Sequence, residues 1–234
     1  MRDTCFLFDV DGTLTDPCKS INRNFFKYFK RWIAFHPTYL VSGSKFSQIR
    51  DQVGVDVIDE CKGVFSCMGN EYWVGDSLLY QNKLDLKSDV YDFLLLQLEN
   101  SPWETRSEPH FDERSGMLNF SILGRGASFE LRNAYKKWDE ENQERQIIAK
   151  EFNLRFSNKY NLEALVGGEI SLDIQEKGMD KGQIIKHLNY DKIIFFGDKC
   201  YKGGNDYAIY SKVDKGWSVK GWEETQKILI SHYS

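Results

Sequence analysis

The sequence predicts an α/β fold, in which a core built on a parallel sheet is interrupted by an inserted α+β module. Two observations support this prediction. Strand and helix patterns alternate in the first part of the chain and again near its end, as in parallel sheets with right-handed crossovers. In the middle part, helices accompany strands that favour an antiparallel sheet. The predicted bounds are 1–81 and 180–234 for the core and 82–179 for the inserted module.

Apolar runs and helical spacing define the first elements. Residues 6–8 are all apolar and predict a buried strand, and the aromatic residues of the next segment recur at helical spacing. Apolar arms on both sides of a Gly-Asp turn predict a hairpin. In chain order, the predicted elements are a strand Thr4–Val10, a helix Ser20–Phe35, a strand Thr38–Gly43, a helix Ser44–Val53, and a short strand followed by a hairpin turning at Gly75 and Asp76.

The same reasoning covers the inserted module and the returning core. The module is predicted to contain a helix Asp85–Glu99, extended segments His110–Glu113 and Met117–Leu123, one long charged helix Ser128–Phe152, and strands Leu162–Val166 and Glu169–Ile174. The core is predicted to resume with a helix Asp180–Leu188, a buried strand Lys192–Phe196, a helix Asn205–Tyr210, and a last strand and helix within Gly216–His232.

Composition excludes several classes of protein. A formal net charge of −4 and a pI near 5.7 provide no basic surface for nucleic acid. No apolar run approaches the ~20 residues that cross a bilayer, and the N-terminus lacks the pattern of a signal peptide. The five cysteines form no CxxC pair, which favours reduced thiols. We therefore expect a cytoplasmic protein without nucleic-acid or membrane partners.

The segment "CFLFDVDGTLTD", Cys5 to Asp16, places Asp9 and Asp11 directly behind an apolar run. Strands disfavour aspartate, and two carboxylates this close repel each other. One interpretation is a solvated strand-to-turn junction, because Asp-Gly is a common turn signal. The other makes Asp9 a nucleophile and Asp11 its acid/base, with a shared divalent cation that relieves the repulsion.

Two other predicted strands end in polar groups, one at Ser42 and the other at Asp198. Lys181 opens the helix after the module. Ligands of open parallel sheets bind beyond the carboxyl ends of the strands, so these groups are expected to meet Asp9. A carboxylate nucleophile, a hydroxyl and an ammonium for phosphoryl oxygens, and carboxylates for Mg²⁺ are what phosphoryl transfer needs. Taken singly, Ser42 could only start a turn and Lys181 could be a solvated helix residue.

The motif "DVDGTLT" resembles motif I of the haloacid dehalogenase (HAD) superfamily, and "FFGDKCYKGGND" resembles its metal-binding motif IV. Within that superfamily the chain resembles the eukaryotic-type phosphomannomutases over nearly its whole length. The matching blocks include "VSGSKFSQIRDQVG", "RSGMLNFSILGR" and "GGEISLDIQEKGMDKG", of which the last two are specific to this family. The resemblance implies a HAD-like, Rossmann-type core with an inserted cap domain.

The resemblance also implies roles for the core residues. Asp9 would be transiently phosphorylated, and Asp11 would protonate the leaving sugar oxygen and deprotonate the incoming hydroxyl. Asp9, the backbone carbonyl of Asp11, and Asp198 would hold Mg²⁺, with Asn205 and Asp206 supporting that site. Asp206 has an alternative interpretation as the N-cap of a short helix.

In the inserted module, Arg114, Arg125 and Arg132 fall where the family keeps three arginines that bind the distal phosphate of the sugar. Ser171 and Asp173, two residues apart on one predicted strand, share a face and match residues that contact phosphate and a sugar hydroxyl. The alternatives are solvated surface arginines and an exposed strand aspartate. Guanidinium is, however, well shaped to bind phosphate, and a bisphosphate needs a cluster at each end.

The chain departs from the family pattern in four places: Cys18 replaces a basic residue, the segment Met68–Glu71 reads "MGNE", Gln48 replaces a lysine, and Lys212 stands in an acidic position of a cation-binding loop. These departures bear on substrate preference and on a second cation site.

The resemblance implies an isomerase, an intramolecular phosphotransferase that interconverts mannose 6-phosphate and mannose 1-phosphate and so feeds GDP-mannose synthesis. It would require Mg²⁺ and a hexose 1,6-bisphosphate as activator, and it would form a homodimer through the cap. Two alternatives remain open: a HAD-family sugar phosphatase that hydrolyses a hexose phosphate, and an inactive paralogue that acts as a binding partner.

Overall fold

Two sheets organise the part of the chain that the computed structural model describes, residues 4–233. The first sheet belongs to a unit formed by residues 4–82 and 178–233, and the second to a unit formed by Lys83–Lys177. In chain order the strands are β1 Thr4–Asp9, β2 Thr38–Val41, β3 Gly63–Ser66, β4 Glu71–Val74, β5 Ser77–Gln81, β6 Phe111–Arg114, β7 Met117–Phe120, β8 Leu162–Gly167, β9 Ser171–Glu176, β10 Lys192–Gly197 and β11 Lys215–Ser218.

The helices lie between these strands, except for the last one, which follows β11. They are α1 Arg23–Ile33, α2 Phe46–Val53, α3 Val55–Glu60, α4 Ser88–Asn100, α5 Phe129–Asn142, α6 Glu144–Tyr160, α7 Tyr207–Tyr210 and α8 Trp222–His232, with 3-10 helices at Cys67–Gly69 and Lys181–His187. None of the helices within residues 4–233 is both long and apolar enough to cross a membrane.

The sheet of the first unit has the order β11-β10-β1-β2-β3-β4-β5. The strands from β11 to β3 are parallel, and the β4–β5 hairpin extends the sheet in antiparallel fashion. Strand β1 lies near the centre, and successive side chains of a strand point to opposite faces. Phe6 and Phe8 therefore pack in one apolar cluster while Cys5 and Leu7 pack in another, so β1 is buried on both faces.

The sheet of the second unit has the order β6-β7-β9-β8 and is entirely antiparallel. Helices α4 and α6 contribute Phe93, Phe152 and Phe156 to its core, where the three rings contact one another. The α/β fold with a parallel sheet, predicted from sequence, is confirmed. The assignment of the first unit as catalytic core and of the second as cap stays a prediction.

The structure corrects two of the predicted elements and adds one. The long charged helix Ser128–Phe152 is wrong: the chain breaks at Gln143, whose left-handed backbone (φ 57°) separates α5 from α6. Buried Asp139 causes this break, because its carboxylate accepts hydrogen bonds from the backbone N–H and from Nε of Arg145, at 2.9 and 2.8 Å. Helix α3 was not predicted, and the segment from Lys181 is a 3-10 helix.

Candidate active site

The carboxyl ends of three parallel strands bring the predicted core residues to one edge of the first sheet. Asp9 ends β1 opposite Val41, the last residue of β2, and Ser42 follows directly. Phe8 pairs with Phe196 of β10, so Asp198 follows that strand at the same edge. Asp9 and Ser42 are both almost fully buried, which rules out a solvated junction at Asp9.

Lys181 connects two carboxylates of this edge. Its Nζ lies 2.5 Å from Oδ1 of Asp9 and 2.7 Å from Oδ1 of Asp206. The lysine is 1% exposed, Asp9 3% and Asp206 0%. The alternative of a solvated helix lysine is therefore wrong, because this ammonium is a buried counter-ion held by two charge-assisted hydrogen bonds.

Asp206 stands at the N-cap position of the short helix α7, but its side chain makes no capping hydrogen bond, so capping does not account for this carboxylate. Besides the bond from Lys181, its Oδ2 accepts a hydrogen bond from the backbone N–H of Lys199 at 3.0 Å. Gly197 leaves room for this carboxylate, since a Cβ there would lie 2.7 Å from Asp206 Oδ2. Asp206 is thus fixed between the end of β10 and Lys181.

The electrostatics of this edge are dominated by an excess of negative charge. Burial, and then the charge of Asp206, raise the pKa of Asp9 above its ordinary value, and they act in the same direction on the pKa of Asp198. Burial alone would lower the pKa of Lys181, but the carboxylates of Asp206 and Asp9 outweigh it and raise that pKa. Three carboxylates around one ammonium leave the site short of positive charge.

A divalent cation fits this site. Oxygen atoms from Asp9, Asp198 and Asp206 all lie within 4.8 Å of one another, and carboxylate oxygens are the ligands that Mg²⁺ prefers. The side chain of Asp11 is not part of this group. Its predicted contribution, through the backbone carbonyl, stays a prediction.

The Asp11 carboxylate is held by donors from three segments. Its Oδ1 accepts hydrogen bonds from the backbone N–H of Cys18 and from Nε2 of Gln52, both at 2.8 Å, and its Oδ2 accepts a longer one, 3.4 Å, from the hydroxyl of Ser44. Gly12 allows the turn that follows, because its φ of +81° is a conformation that residues with a side chain rarely adopt. The absence of a side chain also leaves space for Asp198, since a Cβ at this position would lie 2.5 Å from Oδ2 of Asp198.

Sequence reasoning missed Gln52 and Ser44 as partners of Asp11. Gln52 did leave a signal, because it lies three residues after Ile49 on the apolar face of α2 and is itself buried. A buried glutamine on an apolar face needs a polar partner. Thr13 was also missed; its hydroxyl donates a 3.4 Å hydrogen bond to Oδ2 of Asp9.

The three arginines of the second unit have different surroundings. Arg114 pairs with Asp112, with Nε and Nη2 at 2.9 and 2.8 Å from Oδ2. Arg132 donates from Nε to the carbonyl of Ala127 at 3.0 Å and from Nη2 to the carbonyl of Arg125. All three are half-buried, so the alternative of fully solvated surface arginines is wrong.

Arg125 differs from the other two arginines, because its hydrogen bonds within residues 4–233 involve only its backbone. Burial lowers the pKa of its guanidinium, and the positive charges of Arg114 and Arg132 lower it further. A half-buried guanidinium among like charges, with uncommitted N–H donors, is suited to bind an anion.

Ser171 and Asp173 lie on the same face of β9, as predicted from their spacing. Ser171 is buried and donates a hydrogen bond to the carbonyl of Gly167 at 3.1 Å, while Asp173 is half-buried. Burial raises the pKa of Asp173, whereas hydrogen bonding from Asn119 and the charge of Arg114 lower it. The structure therefore brings Ser171 and Asp173 together, and the positive charges of Arg114 and Arg125 act on the Asp173 carboxylate.

Comparison with known proteins identifies a family. A family model described as "Eukaryotic phosphomannomutase" matches residues 24–233. A phosphomannomutase of Saccharomyces cerevisiae is 35% identical over 244 residues, covering 99% of this chain and 95% of that protein. One from Spinacia oleracea is 32% identical over 232 residues, covering 94% of this chain and 92% of that protein.

Solved structures resemble the chain in fold. The C-terminal domain of C. albicans trehalose-6-phosphate phosphatase matches with a TM-score of 0.62 at 17% identity, covering 90% of this chain and 73% of that one. At this level of identity the likeness concerns the fold alone. It confirms the predicted HAD-like fold.

Proposed function

The chain belongs to the eukaryotic phosphomannomutase family and catalyses that family's isomerase reaction on a hexose phosphate, and from this premise we propose that Asp9 carries the transferred phosphoryl group. The observation that carries the proposal is the buried arrangement of Asp9, Lys181 and Asp206 at the carboxyl end of β1. Lys181 orients the Asp9 carboxylate and supplies positive charge near the phosphoryl oxygens, to which the hydroxyl of Ser42 would donate a hydrogen bond.

The chemistry takes place in two matching halves. A carboxylate oxygen of Asp9 forms a bond to phosphorus while the bond from phosphorus to the sugar oxygen breaks, and Asp11 gives that oxygen a proton. In the second half Asp11 takes the proton from the incoming sugar hydroxyl, which attacks the phosphoaspartate and releases Asp9. Asp11 can serve because Gln52, Ser44 and the Cys18 N–H fix its carboxylate.

Membership of the family implies Mg²⁺, which Asp9 and Asp198 would hold with the backbone carbonyl of Asp11. When bound, the cation offsets the repulsion between the carboxylates and the phosphoryl group. Asp206 would support this site by holding Lys181 in place.

The second unit would bind the phosphate that is not reacting. Arg125 provides uncommitted donors, while Arg114 and Arg132 add positive charge around it. Ser171 would contact the same phosphate and Asp173 a sugar hydroxyl. A mutase needs such a site, because its substrate must keep one phosphate bound while the other is transferred.

The finer features of the reaction are part of the proposal. We propose interconversion of mannose 6-phosphate and mannose 1-phosphate, activation by a hexose 1,6-bisphosphate, a homodimer formed through the cap, and a cytoplasmic location. The link to GDP-mannose synthesis follows from the family.

A coupled assay of mannose 6-phosphate formation from mannose 1-phosphate tests this function. We expect turnover that requires Mg²⁺ and rises with added hexose 1,6-bisphosphate. Release of inorganic phosphate without isomerisation would instead support the phosphatase alternative, which Cys18 favours because it replaces a basic residue near Asp11. No turnover of either kind would support the inactive paralogue, which the intact pairing of Lys181 with Asp9 argues against.

A further inference from the structure

One amide of the second unit links both residues that are proposed to contact the sugar phosphate. Asn119, on β7, lies directly opposite Asp173 of β9, and Ser171 lies on the same face of β9. Nδ2 of Asn119 is 2.9 Å from Oγ of Ser171 and 2.6 Å from Oδ1 of Asp173. Asn119 belongs to the motif "GMLN", to which the proposed function assigns no role.

Two independent contacts fix the orientation of this amide. An ionised carboxylate only accepts hydrogen bonds, so the atom that faces Asp173 must be nitrogen. The hydroxyl of Ser171 already donates to the carbonyl of Gly167 at 3.1 Å, so towards Asn119 it acts as acceptor. Both hydrogens of the amide are therefore committed, one to each neighbour.

The arrangement leaves one polar atom of the Asn119 amide unpaired among the described residues. Asn119 is 3% exposed, yet its Oδ1 is buried and accepts no hydrogen bond from any of residues 4–233. An unpaired buried acceptor destabilises a folded protein. In Asn153 of the same unit, by contrast, both polar atoms of the amide make hydrogen bonds. The nitrogen donates to the carbonyl of Ala164 at 2.9 Å, and the oxygen accepts from the N–H of Ala164 at 2.7 Å.

Gly167 completes the arrangement on the other side of Asp173. It pairs with Ser171 in the sheet, and a Cβ at this position would lie 2.2 Å from Oδ2 of Asp173. The absence of a side chain leaves space for Oδ2, while Asn119 holds Oδ1. The carboxylate of Asp173 is thereby set in one orientation.

We propose that Asn119 is a positioning residue for the substrate. Its amide fixes the Ser171 hydroxyl and the Asp173 carboxylate in position relative to each other. The inference rests on the proposed function, in which Ser171 and Asp173 contact the phosphate and a sugar hydroxyl. Asn119 itself is too deeply buried to reach the substrate, and it acts through these two groups.

The test compares Asn119→Leu with Asn153→Leu. Leucine has nearly the shape of asparagine and removes both N–H donors. For Asn119→Leu we expect KM for the hexose phosphate to rise by about tenfold, as for the loss of a charge-assisted hydrogen bond, with hydrolysis of acetyl phosphate nearly unchanged and a melting temperature no lower than that of Asn153→Leu. For Asn153→Leu we expect a lower melting temperature and an unchanged KM, because the change leaves backbone groups of Ala164 unpaired.

An unchanged KM in Asn119→Leu, or an equal rise of KM in Asn153→Leu, would overturn the inference. If Asn119→Leu does not fold, Asn119→Ala replaces it, since its smaller side chain admits water. Ser171→Ala and Asp173→Asn separate this inference from the proposed function. If neither raises KM, the proposed substrate contacts are wrong; if both do and the Asn119 variants do not, only the role of Asn119 is wrong.

Discussion

If Arg125 binds the distal phosphate, as proposed, replacing it by alanine should weaken that binding and leave the chemistry proposed for Asp9 intact. The guanidinium of Arg125 makes no hydrogen bond within residues 4–233, and Arg114 and Arg132 crowd it with like charge. Removing it breaks no internal hydrogen bond of the described chain and relieves the repulsion from Arg114 and Arg132, which exceeds its attraction to Asp112 and Asp173. We therefore expect Arg125→Ala to fold with a melting temperature equal to or above that of the wild type.

The effect on the mutase reaction should be large. A hydrogen bond to a charged group contributes roughly 1.5–3 kcal/mol, which corresponds to about 10- to 150-fold in kcat/KM for a phosphorylated sugar. Acetyl phosphate carries no distal phosphate, so its hydrolysis should be nearly unaffected by Arg125→Ala.

The assay measures both activities on one preparation, with circular dichroism as the control for folding. Arg155→Ala is the matched variant, because Arg155 is an exposed arginine of the same unit whose guanidinium lies over Phe93 and Phe156. It removes the same charge away from the cluster and should leave mutase kcat/KM within about twofold. Equal loss of both activities in Arg125→Ala, or equal loss of mutase activity in Arg155→Ala, would refute the reasoning.

Three further predictions concern the first unit. Asp11→Asn should slow the reaction of hexose phosphates by about 10²–10⁴-fold, the usual range for general acid/base catalysis, and a wild-type rate would remove Asp11 from that role. Lys181→Met should lower the free energy of unfolding in urea by roughly 3–5 kcal/mol, because it leaves buried carboxylates unpaired; a change below about 1 kcal/mol would contradict a buried ion pair. Asp198→Asn should abolish the rise in melting temperature that Mg²⁺ gives the wild type, and an undiminished rise would exclude Asp198 as a ligand.

The sequence predicted the main elements of the fold because apolar periodicity is a local property. The alternation of strands and helices, and the carboxylate, hydroxyl and ammonium at their ends, could be read without knowing any contact. The break between α5 and α6 could not, since it depends on the buried Asp139 accepting hydrogen bonds from Arg145 of the next helix. Charged residues recur at helical spacing on both sides of Gln143, so the sequence pattern does not indicate the break between α5 and α6.

Parts of the site escaped prediction for a similar reason. Gln52 and Asn119 make their key hydrogen bonds across 41 and 54 residues of chain, to Asp11 and Asp173. Their residue types suggest no chemistry of their own, unlike an aspartate after a strand. What marks them is burial of a polar side chain, which becomes visible only once the apolar face of α2 and the buried strand β7 are in place.

The most direct test of the central claim is to locate the phosphoryl group. The wild-type protein and Asp9→Asn would be treated with a hexose 1,6-bisphosphate and Mg²⁺, quenched in acid, and digested for peptide mass spectrometry. The amide of Asp9→Asn has nearly the size of the carboxylate but is a poor nucleophile, so the fold should persist while turnover is lost. We predict one added phosphoryl group on Asp9 in the wild type and none in the variant. A phosphoryl group on another residue, or a wild-type rate in Asp9→Asn, would contradict the account.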